Sequence, residues 1–197
     1  MKHFCHNRRK LLKAGAASTA AMLLPTTALA AKKHDYGIAG KLAPELEISD
    51  WIDGSGKSTS FKLADHQGKY VFMEFWQSWC PGCHAHGFPT LKKISDAFKN
   101  SEHFTAIAIQ TTFEGHTVNT SNKMREIQKR YDLDIVFGHD AGDPKSHGHP
   151  KTMMDYRSGG TPWAVLISPE GKVLFNDFHI NAEGAIQLLE QEIKKLA

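Results

Sequence analysis

The sequence predicts an α/β fold: a central mixed sheet flanked by helices, with an N-terminal β-hairpin extension. Three patterns carry this. Buried-strand runs alternate with amphipathic stretches, two late strands flank a tight turn, and the chain ends on a helical repeat of apolar residues. Taken in order, Leu46-Glu47-Ile48 and Ser60-Phe61-Lys62-Leu63 alternate apolar with polar around the turn-rich Asp53-Gly54-Ser55-Gly56, giving two short strands joined by a loop. Tyr70-Val71-Phe72-Met73-Glu74-Phe75-Trp76 is a nearly continuous apolar run, the pattern of a strand buried on both faces. Leu91, Ile94 and Phe98 recur at helical spacing, so a helix runs from Cys83 to about Asn100, and Pro89 inside it predicts a kink. Phe104 to Ile109 is a second buried strand, Lys123 to Tyr131 an amphipathic helix, and Ile135-Val136-Phe137 a short strand. Trp163 to Ser168 and Lys172 to Phe178 form a hairpin across Pro169-Glu170-Gly171, and Ala182 to Leu196 closes the chain as a helix with Ile186, Leu189 and Ile193 on one face.

The first thirty of the 197 residues do not belong to this pattern. Lys2, Arg8, Arg9, Lys10 and Lys13 precede a run of small and apolar residues that ends in Ala28-Leu29-Ala30, the layout of a signal peptide cleaved after Ala30. The run is shorter than the roughly 20 residues of a bilayer-spanning helix. Arg8-Arg9-Lys10-Leu11-Leu12-Lys13 is similar to the twin-arginine export signal, with an ordinary secretory signal as the alternative. The expected organisation is therefore a signal peptide over 1–30, a disordered lead-in over 31–43 and one domain over 44–197, delivered to the periplasm as a monomer.

Cleavage changes the charge. Five of the 24 positive residues leave with the signal, so 19 remain against 21 acids and the formal charge moves from +3 to −2. A near-balanced domain has no electrostatic footprint for nucleic acid. Cleavage also removes Cys5 and leaves Cys80 and Cys83 as the only cysteines. Such a pair is a structural bridge, a metal site or a redox centre, and a loop this short takes little entropy from the unfolded chain, which argues against a staple. At the end of a buried strand and the start of a helix, the first sulfur meets unpaired N–H groups and the positive end of the helix dipole. That placement makes Cys80 the nucleophile and Cys83, one turn in, the resolving thiol.

The stretch Glu74-Phe75-Trp76-Gln77-Ser78-Trp79-Cys80-Pro81-Gly82-Cys83 resembles the active-site segment of thioredoxins and of the periplasmic TlpA-type disulfide reductases, with Pro44 and Gly68-Lys69 matching the latter. The resemblance spans about Pro44 to Leu196 and is weakest over Thr111 to Tyr156. It implies a thioredoxin-like fold and thiol–disulfide exchange on exported proteins or small disulfides and thiols, supplied by a membrane electron donor and needing no cofactor. It implies that Glu74 is the proton acceptor for Cys83 and that Pro162, after Thr161, is a cis-proline. Trp79, Pro81, Gly82 and Thr161 become the surface offered to substrate, with Trp79 covering the disulfide.

Two departures stand out. The helix proline is one residue further from the second cysteine than in the proteins the chain resembles, and His84 and His86 follow Cys83, where they either tune the Cys80 thiolate or are simply solvated. His139, His147 and His149 lie in a stretch longer and richer in histidine than its counterpart. They are the candidate metal ligands, and with the two cysteines they make a copper-binding protein the rival reading, since soft Cu(I) suits paired thiolates. A peroxiredoxin-like peroxidase is a weaker rival, because its cysteine needs a threonine or serine three residues earlier, where Cys80 has Gln77 and Cys83 has Cys80.

Overall fold

The computed structural model describes residues 36–142 and 149–196; the expected signal peptide and His147 lie outside the described residues. Along the chain the elements are β1 (Asp50–Ile52), β2 (Ser58–Thr59), β3 (Tyr70–Trp76), α1 (Phe88–Phe98), β4 (Phe104–Thr111), α2 (Ser121–Arg130), β5 (Val136–Asp140), α3 (Lys151–Asp155), β6 (Trp163–Ile167), β7 (Val173–Asp177) and α4 (Ala182–Ile193). They form one seven-stranded sheet in the order β2-β1-β5-β4-β3-β6-β7. The pairs β3–β4 and β4–β5 are parallel, while β1–β5, β3–β6 and β6–β7 are antiparallel, so the sheet is mixed as expected.

All seven residues of β3 are buried because both faces of the sheet are covered. Alternation sends Phe72 and Trp76 into one core with Phe88, Leu91 and Ile94 of the α1 segment and Leu189 of α4. Val71, Met73 and Phe75 enter a second core on the opposite face, with Ile38, Phe61, Tyr156 and Trp163. Glu74 shares the parity of Phe72 and Trp76, which places a carboxyl group on the α1 face.

The N-terminal hairpin exists, but not where alternation placed it. Its strands are Asp50–Ile52 and Ser58–Thr59 rather than 46–48 and 60–63. Asp53 draws the turn tight, its Oδ1 accepting from the Ser55 and Lys57 N–H groups at 2.9 and 3.0 Å. Glu45 ends the second strand early by accepting from the N–H groups of Leu63 and Ala64 at 2.6 and 3.1 Å, which winds Leu63–His66 into a 3₁₀ turn. The disordered lead-in is likewise corrected over 36–43. Gly37 N–H donates to the Arg157 carbonyl and Gly40 N–H to that of Val173, each at 2.8 Å, Leu42 bridges Lys172, and Ile38 is buried. Helix α3, absent from the sequence reading, starts where Asp140 Oδ2 accepts from the N–H and hydroxyl of Thr152 at 3.0 and 2.6 Å.

Candidate active site

Strand β3 delivers the chain to a turn in which the Cys80 N–H donates to the Gln77 carbonyl at 3.2 Å. Helical backbone begins at Pro81 and continues to Phe98, two residues ahead of the start expected at Cys83. The disulfide between Cys80 and Cys83 therefore spans the first turn, with Cα atoms 5.3 Å apart. First-turn amides have no intrahelical carbonyl to bond. That of Cys83 donates to the Cys80 sulfur at 3.1 Å, a bond that favours the thiolate once the disulfide is opened. Cys80 is 4% exposed and Cys83 not at all, so a substrate meets Cys80 first.

Across from the sulfur stands the loop before β6. The Thr161–Pro162 peptide is cis, and the Thr161 carbonyl oxygen lies 3.4 Å from Cys80 Sγ. Two glycines allow this closeness: a Cβ on Gly82 would stand 3.0 Å from Pro162 Cδ, and one on Gly87 would stand 3.0 Å from Pro162 Cβ and 2.7 Å from Glu74 Oε1. Gly82 is among the residues expected at the site, whereas Gly87 was missed. Its signal was available, since a glycine inside a helical pattern costs about 1 kcal/mol against alanine and so calls for a packing reason.

Pro89 produces a change of helix type rather than a plain kink. Cys83–Gly87 is a π-turn, closed by the Phe88 N–H donating to the Cys83 carbonyl, and Pro89 falls in the first turn of α1. A π-turn holds one residue more than an α-turn. That absorbs the extra residue between Cys83 and Pro89.

Glu74 is 2% exposed, between Ala108 of β4 and Ala164 of β6, and desolvation alone pushes its pKa up to about 8. A carboxyl group at that value has a proton affinity close to that of an ordinary thiol, so exchange of a proton with one would cost little.

The turn before Cys80 is tied down residue by residue. Asn119, buried after β4, accepts through Oδ1 from the Ser78 N–H at 2.7 Å and the Ser78 hydroxyl at 2.8 Å, and donates to the Glu114 carbonyl at 3.0 Å. Gln77 Nε2 donates to the Thr111 carbonyl at 2.9 Å. His84 lies between the Ser78 carbonyl, 2.7 Å from Nε2, and the Tyr131 hydroxyl, 2.6 Å from Nδ1. His86 is exposed and packs edge-on to His179, with ring centroids 5.7 Å apart. Trp79 is 47% exposed, and its indole nitrogen would lie 3.2 Å from a Cβ on Gly115. Asn119 and Tyr131 had no signal in the sequence, because they reach the site from 41 and 47 residues away in the chain.

Of the candidate metal ligands, His139 and His149 do not share a loop. His139 sits on β5, paired with Asp50 and Gln110, and burial lowers its pKa. His149 is exposed, with its ring 6.1 Å from that of Phe113. Among the described residues no group of three or more His, Cys, Asp or Glu side chains could hold a metal ion. Nor, among them, is any helix long and apolar enough to cross a membrane.

Known proteins resemble this arrangement. The family model described as Redoxin matches residues 38–186. The chain is 27% identical over 135 residues to a thiol-disulfide oxidoreductase ResA of Bacillus cereus, covering 68% of this chain and 66% of that one. The crystal structure of thioredoxin-like superfamily protein SPOA0173 superposes with a TM-score of 0.66 at 32% identity, covering 79% of this chain and 95% of that one. A thiol-disulfide isomerase from Corynebacterium glutamicum gives a TM-score of 0.65 at 26% identity, covering 77% and 96%.

Proposed function

The chain belongs to the Redoxin family and has the thioredoxin-like fold, and from that premise we propose that it is an exported thiol–disulfide oxidoreductase acting as a reductase. One observation carries the reading: the Cys80 sulfur lies at a helix start, accepts the Cys83 N–H, and is the more exposed half of the disulfide. In the reduced protein the Cys80 thiolate attacks one sulfur of a substrate disulfide. A Cys80–substrate bond forms, the substrate's own S–S bond breaks, and the first substrate thiolate departs. Cys83 then gives its proton to Glu74, through the fraction of that carboxyl which is ionised, and attacks the Cys80 sulfur, forming the Cys80–Cys83 disulfide and expelling the second substrate thiolate. The substrate gains the two electrons that the dithiol loses, and a donor on the membrane returns them.

The Thr161 backbone, facing the sulfur, suits an extended polypeptide that pairs with it as a strand. Trp79, Pro81 and Gly82 complete that surface. Arg8-Arg9 and Ala28-Leu29-Ala30 support export with cleavage after Ala30, and the mass of the native protein tests this: a mature chain that retains Arg8 and Arg9 overturns it.

Equilibration with glutathione tests the direction. A potential near that of thioredoxin, about −270 mV, is the expected result, and one close to that of a strong periplasmic oxidant, about −120 mV, overturns the reductase assignment.

A further inference from the structure

We propose that His84 is a positioning residue of the redox centre, holding the Ser78 carbonyl so that the turn before Cys80 presents its sulfur to the helix start. This rests on the exchange reading above. Ser78, two residues before Cys80, offers three polar groups, and each is engaged from elsewhere. Asn119 Oδ1 takes both the N–H and the hydroxyl, and His84 Nε2 takes the carbonyl, at 2.7 Å. His84 follows Cys83 directly, so its ring reaches back across the first helical turn and clasps the strand-to-helix connection from the helix side. Asn119 clasps it from the β4 side.

A carbonyl only accepts, so Nε2 must carry a proton. In the neutral ring Nδ1 is then an acceptor, and the Tyr131 hydroxyl donates to it at 2.6 Å. Tyr131 is the C-cap of α2, and its ring stacks at 22° on that of Phe88 with centroids 4.4 Å apart. The hydroxyl that holds the ring through Nδ1 is thus itself held by packing. The chain Asn119–Ser78–His84–Tyr131 joins the β4–α2 connection, the turn, the active-site helix and the end of α2. Without the imidazole the Ser78 carbonyl would lose its donor beside the disulfide, the turn would relax, and the Cys80 sulfur would lose its alignment with the Cys83 N–H. A merely structural histidine would affect unfolding and leave the reactivity of Cys80 untouched.

The test uses the full chain in a Cys83→Ser background, reduced, with iodoacetamide as probe and mass spectrometry of the peptide carrying Cys80 as readout across pH. His84→Ala should slow alkylation of Cys80 at pH 7 about tenfold, the scale of one lost hydrogen bond. His84→Gln, whose Nε2 can still donate to the carbonyl, should stay within about twofold of the parent. Tyr131→Phe keeps the ring but removes the hydroxyl that bonds Nδ1 and holds the imidazole in place, and should lower the rate by about fivefold; it decides the matter if His84→Ala does not fold. Unchanged alkylation in His84→Ala or in Tyr131→Phe overturns the proposal. So does an equal loss in His84→Gln and His84→Ala, which would assign the effect to ring packing. The assay contains no substrate disulfide, so a wild type that exchanges none would overturn the proposed function and leave this result standing on its own.

Discussion

Gly87 lies so close to Glu74 that a Cβ on the glycine would stand 2.7 Å from the carboxyl Oε1, with Pro162 Cβ at 3.0 Å on its other side. The π-turn, the buried acid and the cis-proline meet at a point where no side chain fits. Gly87→Ala is expected to lose about 1–3 kcal/mol through overpacking, more than the roughly 1 kcal/mol that alanine gains in a helix. Since the displaced group is the proposed proton acceptor, turnover should fall as well. Thermal unfolding and reduction of a model disulfide, measured together, check both effects.

Glu74 makes stability depend on pH with a definite sign. Its carboxyl titrates near 4.5 when unfolded and at about 8 in the fold. Between those values the folded protein holds a proton that the unfolded chain has released, so the contribution of Glu74 to stability is greatest below pH 4.5 and is lost as pH rises through about 8. Glu74→Gln removes this dependence. At pH 9 the variant should be more stable than the wild type by about 2–4 kcal/mol, each tenfold in proton affinity being worth about 1.4 kcal/mol, less what local relaxation recovers. The gap should close toward pH 4.5. Denaturant unfolding at pH 5, 7 and 9 reads it. The same variant should slow release of the mixed disulfide, and by more as pH rises toward 8, because only the ionised fraction of Glu74 can take the Cys83 proton.

How much of this was legible depends on how local each feature is. β3 and the cysteine turn were readable because a seven-residue apolar run and a spacing of three are local signals. The hairpin was misplaced because the Asp53 and Glu45 carboxylates, not alternation, decide where pairing starts and stops. His139 read as a loop residue because Gly138 and Asp140 flank it. Yet Gly138 is a strand residue whose missing Cβ leaves room for the Trp51 ring, within 2.5 Å of where a Cβ would stand. In the clasp on Ser78 only His84 is a near neighbour; Asn119 and Tyr131 are brought to it by the fold, and no spacing could announce them.

Residues 36–43 read as disordered because they are small and polar, but backbone bonds and glycine conformations hold them. Gly37 and Gly40 have φ of 80° and 87°, and a Cβ on Gly37 would stand 2.7 Å from the Asn176 carbonyl oxygen. Starting the mature chain at Pro44 should therefore destabilise the domain by about 2–4 kcal/mol, through lost burial of Ile38 and lost bonds to Arg157 and Val173. Gly37→Val should reproduce part of the loss. Equal unfolding midpoints for the long and short chains would show that the segment contributes nothing.

The two cysteines should behave differently when each is replaced, although either change abolishes the disulfide. In Cys83→Ser the nucleophile remains, so a substrate disulfide is opened and, with no second sulfur to expel it, a mixed disulfide through Cys80 accumulates and is cleared by dithiothreitol. In Cys80→Ser the surviving sulfur is fully buried and lacks the N–H bond that Cys80 accepts, so little substrate should be trapped. A copper-binding protein predicts no such asymmetry, since both sulfurs would be ligands and losing either would weaken binding alike. Non-reducing gels of the two variants separate the cases. Strong trapping in Cys83→Ser alone supports the assigned roles, and equal trapping in both, or none in either, removes the asymmetry on which the mechanism depends.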